Sequence, residues 1–144
     1  MNATERGAVG GDVARFGFRP GTVVQELGWD EDIDEDVRAG IEKAIEGQLV
    51  DDRYGDVVDC VVLWWRAEDG DLVDGLVDAL TDLGDAGTIW LLTPKVGRDN
   101  YVDPAEISEA APTAGLSTTT SLAAGADWSA TKLVAPKSDR SGRR

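Results

Sequence analysis

A chain of 144 residues, 42% of them hydrophobic, is long enough to bury the core of one globular domain. No apolar run approaches the roughly eighteen residues of a membrane span. Its formal charge of −14 opposes phosphate backbones and anionic lipid, so neither nucleic acid nor a membrane is an expected partner. With no histidine and a single cysteine, the chain lacks histidine-based nucleophile pairs, the commonest transition-metal ligand and an internal disulfide; no catalytic residue and no metal ligand is assigned.

Residues 1–11 are rich in glycine and alanine and read as a flexible N-terminus. They carry no apolar leader, so a cytoplasmic protein is expected, and the composition suggests one domain over residues 12–136. The stretch DVARFGF has room for one or two helical turns ending at Gly17. Pro20 and Gly21 make a turn, and Thr22 to Leu27 form a first strand. Gly28, Trp29 and an acidic run from Asp30 to Asp36 follow. Ile33, Val37, Ile41 and Ile45 recur every four residues, which predicts a helix over about 34–48 with its carboxylates at the positive end of the dipole. Asp30, Asp32 and Asp34 have the spacing of a calcium loop, but Glu35 and Ile41 stand where that loop needs glycine and glutamate, so the run reads as a solvated face.

The stretch from Asp56 to Pro94 organises the chain. Val57 to Trp65 is a nearly continuous β-branched and aromatic run, the pattern of a strand covered on both faces. Cys60 inside it is a small core residue. Leu72, Val73, Leu76, Val77, Leu80 and Leu83 then recur at helical spacing, opposite Asp71, Asp74, Asp78 and Asp82, and Gly84 and Gly87 punctuate the end. Thr88 to Leu92 form a second apolar strand stopped by Pro94, expected to lie parallel to the first with the helix crossing between them.

KVGRDNYV is a polar loop, after which Asp103, Pro104 and Glu106 supply an N-cap, a first-turn proline and an acid for a short helix disturbed by Pro112 and ended by Gly115. Leu116 to Ala123 and Trp128 to Val134 read as a closing antiparallel hairpin. Residues 132–144 hold five basic side chains against Asp139 alone, a charge of +4 that leaves −18 for the remainder, and residues 137–144 read as a basic flexible tail. The order predicts an α/β fold: a Rossmann-like three-layer sandwich, its sheet mostly parallel and ending in an antiparallel hairpin.

With these elements in place, the chain resembles the bacterial family catalogued as domain of unknown function 3052, common in actinobacteria. The resemblance runs from Asp12 to Lys137 and is carried by FRPGTVVQELGWDEDIDEDVR, DVVDCVVLWWR, GTIWLLTPK, AAPTAGL and DWSATKLVAPK. It implies a fold and a cytoplasmic setting and no reaction. More coarsely, the second half is similar to a truncated class I methyltransferase fold, whose first strand ends in an acidic residue and a glycine-rich turn that let backbone approach S-adenosylmethionine. The corresponding turn is Glu26, Leu27, Gly28, Trp29, Asp30, with a tryptophan and an acidic run where glycines would be needed, so no cofactor is expected.

In open α/β sheets the ligand crevice lies at the C-terminal ends of the strands. Trp29, Trp65, Arg66, Thr93, Lys95 and Arg98 fall there and are the candidate ligand-binding residues, suited to a small anionic ligand or a protein partner. Two structural alternatives stand beside this: the tryptophans belong to the core, and the cations pair with Asp30, Asp32, Asp69 or Asp71. The function expected is therefore binding without catalysis, with a degenerate methyltransferase-like enzyme as the alternative.

Overall fold

A computed structural model describes residues 15–135; the expected flexible N-terminus and basic tail lie outside them. Among the described residues, five strands and three α-helices form an α/β fold: β1 (Val24–Leu27), α1 (Glu35–Ile45), β2 (Val58–Trp64), α2 (Leu72–Ala79), β3 (Leu83–Pro94), α3 (Pro104–Thr113), β4 (Ser117–Ala124) and β5 (Trp128–Val134). Of the expected N-terminal helical turns, Arg15–Gly17 form a turn and residues 12–14 lie outside the described part. Among the described residues no helix is long and apolar enough to cross a membrane.

The sheet order is β1-β2-β3-β5-β4. The β1–β2 and β2–β3 ladders are parallel, whereas β5 pairs antiparallel with β3 on one side and β4 on the other. The sheet is therefore mixed rather than mostly parallel, and its two longest ladders are the antiparallel ones. The tight turn at Gly125, at φ 76°, reverses the chain after β4 and makes β5 antiparallel to it, and pairing with β3 places β5 between β3 and β4.

Alternation along the central strands divides the core between two faces. Cys60, Val62, Trp64, Trp90 and Leu92 meet Val37, Ile41 and Ile45 of α1, while Val61, Leu63, Ile89 and Leu91 meet Leu72 and Leu76 of α2 and Ile107 and Ala111 of α3. Each helix starts on an aspartate side chain that accepts from a backbone N–H: Asp34, Asp71 and Asp103. Helix α1 ends earlier than its periodicity suggests because Glu46 turns left-handed, φ 56°, and its N–H bonds back to Lys43.

Helix α2 also stops short. Its apolar stripe continues through Leu80 and Leu83, but the chain leaves the helix at Ala79, the Asp82 carbonyl accepts from Val58 N at 2.8 Å, and Leu83 joins β3 opposite Val58. Residues 84–87 then bulge, Ala86 taking φ 61°, before pairing resumes at Cys60 and Thr88. Pairing with the buried β2 satisfies backbone groups that another helical turn would have carried away from the sheet.

Candidate functional site

The C-terminal ends of β1, β2 and β3 and the β4–β5 turn converge at one end of the sheet. After Leu27 the chain turns through Gly28 at φ 78°, so close to β2 that a Cβ there would overlap the carbonyl oxygen of Trp64. Only glycine fits both the backbone conformation and the space. Ile33 is buried and pins the acidic loop that follows, leaving Asp32 half exposed above the sheet end.

Arg66, two residues beyond β2, fills this junction and is 5% exposed. Its Nε donates to Asp32 Oδ2 at 3.0 Å and its Nη2 to Asp32 Oδ1, a bidentate pair. Nη1 donates to the Gly28 carbonyl at 2.7 Å and to the Trp64 carbonyl at 3.3 Å, and forms an ion pair with Asp69 at 3.5 Å. The guanidinium carbon lies 5.5 Å from the centroid of Trp128, a cation–π placement. Burial opposes the charge on Arg66, but bonding to Asp32 and the nearby Asp69 outweigh it and its pKa rises. Conversely, the hydrogen bond from Arg66 holds the Asp32 carboxyl below its ordinary value, against a smaller opposing effect of burial.

A second buried ionic group lies under α1. Glu26, 9% exposed, accepts from Arg38 Nε through both carboxylate oxygens, at 2.9 and 3.0 Å, and from Trp64 Nε1 at 3.0 Å. Trp64 in turn meets Trp128 edge to face, with centroids 4.9 Å apart at 81°. The two ionic groups are thus joined through a tryptophan pair, and every cation in them is answered by a carboxylate of the same chain.

The six candidate residues take different positions around this centre. Arg66 belongs to it. Trp65 lies half buried on the other face, its ring so close to Gly75 of α2 that any Cβ there would collide with it, and Thr93 is buried within β3. Lys95 Nζ donates to the Gly125 carbonyl at 3.1 Å, and Arg98 pairs with Asp127 at 3.1 Å, both on the β4–β5 turn. Trp29 is 54% exposed. The alternative weighed for the cations, pairing with Asp30, Asp32, Asp69 or Asp71, holds for Arg66 through Asp32 and Asp69, whereas Arg98 pairs with Asp127.

Sequence reasoning did not assign Glu26, Asp32, Arg38, Trp64 or Trp128 to the site. For Glu26 a signal was present: it follows Val24 at the two-residue spacing of one strand face, so it points under α1 and requires a cation there. Among the described residues no group of three or more Cys, Asp or Glu side chains is arranged to hold a metal ion.

The family described as protein of unknown function (DUF3052) matches residues 13–137. The chain belongs to this family. Two relatives, uncharacterised proteins of Mycobacterium tuberculosis and Mycobacterium bovis, are each 53% identical over 130 residues, covering 90% of this chain and 81% of theirs. Similar solved structures include methyltransferases. The magnesium protoporphyrin IX methyltransferase of Synechocystis PCC 6803, solved with bound SAM, shares 15% identity at a TM-score of 0.56, over 89% of this chain and 76% of that one. The dimethyltransferase RosA of Streptomyces davawensis shares 16% at a TM-score of 0.62, over 92% and 56%. At such identities the likeness extends to the fold alone. In this DUF3052 chain, the acidic residue at the end of β1 is Glu26, and both of its oxygens are engaged by Arg38 and Trp64.

Proposed function

We propose that this DUF3052 chain is a non-catalytic binding domain, a Rossmann-like three-layer unit of the cytoplasm that works by contact with a protein partner at the C-terminal end of its sheet. The observation that carries this reading is the engagement of Arg66. A buried guanidinium bound to Asp32, Asp69 and two backbone carbonyls and lying over Trp128 occupies the end of the sheet with the chain's own side chains. A small anion would have to displace those carboxylates to reach it. Trp29, exposed on the loop beside this junction, offers the aromatic anchor typical of a protein contact. Lys95 and Arg98 supply a cationic rim at the neighbouring turn.

A second reading, a methyltransferase-like enzyme, is favoured by the fold neighbours. Titration calorimetry with S-adenosylmethionine separates the two. The binding reading expects nothing tighter than about millimolar, roughly 4 kcal/mol, and micromolar binding overturns it. Affinity capture from the native host with wild type and Trp29→Ala then tests the edge: loss of the captured partner in the variant supports the assignment, and equal recovery refutes it.

A further inference from the structure

The two lateral edges of the sheet are built differently. Strand β1 is four residues long and its outer side is covered: Val50 bridges to Gln25, with Glu26 N donating to Val50 O at 2.7 Å and Val50 N to Val24 O at 2.9 Å. The Gln25 side chain adds bonds to the Asp51 carbonyl and the Asp82 carboxylate. Strand β4 is eight residues long, pairs among the described residues with β5 alone, and is exposed on both faces from Ser117 to Ser121. It carries neither charge nor proline, the usual protection of an open edge, and no charged side chain occurs between Glu109 and Asp127. Beside it, β4 and α3 leave a groove of about 150 Å³ whose lining, including Ile107, Ser108, Thr118, Thr120 and Thr131, is also uncharged.

We propose that this edge pairs with β4 of a second copy of the chain, antiparallel about a twofold axis, to give one sheet continuous through both copies. Charge limits where a second copy can dock. Each copy carries −14, so two copies repel wherever acidic surface would meet acidic surface, and the β4 edge lets them approach along strands that carry no charge. Symmetry agrees, because a twofold contact requires a patch complementary to itself and an antiparallel strand edge offers its donors to its own acceptors. The threonines of β4 suit a sheet ladder, and their methyl and hydroxyl groups match the uncharged groove of the facing copy. Regular pairing with β5 runs from Thr120 to Ala124, beyond the register shift between Thr118 and Thr120, and places Ser121 in the stretch expected to face its counterpart.

Sedimentation of the full chain across a dilution series from about 1 to about 100 µM, a range that brackets modest interface affinities, tests this. The expected result is a shift from 15.3 kDa to twice that mass. Ser121→Asp, at an exposed position, places like charges near the axis and is expected to leave the chain monomeric, with the melting curve of dilute, monomeric wild type. In wild type, amide exchange along β4 is expected to slow as concentration rises, a readout independent of whether the variant folds. A wild-type mass of 15.3 kDa throughout, a Ser121→Asp dimer as tight as wild type, or β4 exchange independent of concentration overturns the proposal.

Discussion

Arg66 donates to the carbonyl oxygen of Gly28 at 2.7 Å, so a side chain at the end of β2 holds the backbone turn that follows β1. The same guanidinium grips Asp32 farther along that loop, which makes one residue the tie between two strand ends and the start of α1. Arg66→Ala is expected to cost about 1.5–3 kcal/mol in urea unfolding, the range for charge-assisted hydrogen bonds. Asp32 is half exposed and regains water when its partner is removed, which keeps the loss below that of a fully buried pair. A loss under about 0.5 kcal/mol, ordinary for a surface site, would show that the tie is not structural.

Gly28→Ala meets two obstacles at once, a backbone φ of 78° and the carbonyl oxygen of Trp64. Gly115, at φ 85° with open space around it, has only the first. Backbone strain alone costs about 1–3 kcal/mol, so Gly115→Ala should fall in that range and Gly28→Ala beyond it. Equal losses in paired thermal melts would mean that the loop moves aside without resistance.

Stability should depend on Asp32 in acid. Its folded pKa lies below the ordinary 3.8, so its contribution is present in full above the unfolded value and is lost as pH falls through the lower folded one. The stability difference between wild type and Asp32→Asn is therefore expected to be flat from about pH 5 to 7 and to shrink below about pH 4. A difference that grew on acidification would contradict the pairing with Arg66.

Burial within β2 pushes the Cys60 thiol up to about 12, with the charge of Lys132 acting weakly the other way. Thiolate is the reactive form, so Cys60 should resist a disulfide reagent at about pH 8 in the folded protein and react at once in denaturant. Rapid modification of the native chain would place the sulfur at the surface rather than 4% exposed in the core.

Where structure follows from near neighbours in the chain, it was legible in the sequence. The nearly continuous apolar run of β2, the four-residue spacing of Val37, Ile41 and Ile45, and the Asp103-Pro104 helix start led to elements that form close to where they were placed, because strand burial, helical period and capping are properties of a few consecutive residues. The resemblance to the DUF3052 family also held over almost the whole stretch on which it was drawn. The tertiary structure decided what depends on partners distant in sequence. Leu83 has helical spacing, yet it serves β3 because Val58 lies beside it. β5 enters between β3 and β4 instead of extending the sheet outward, which makes the sheet mixed and leaves β4 at the edge. Arg66 stands beside tryptophans like a residue awaiting an anion, but Asp32, 34 residues earlier, already supplies the charge. A guanidinium is stabilised equally by a ligand's carboxylate and by its own chain's, and only the fold determines which one reaches it.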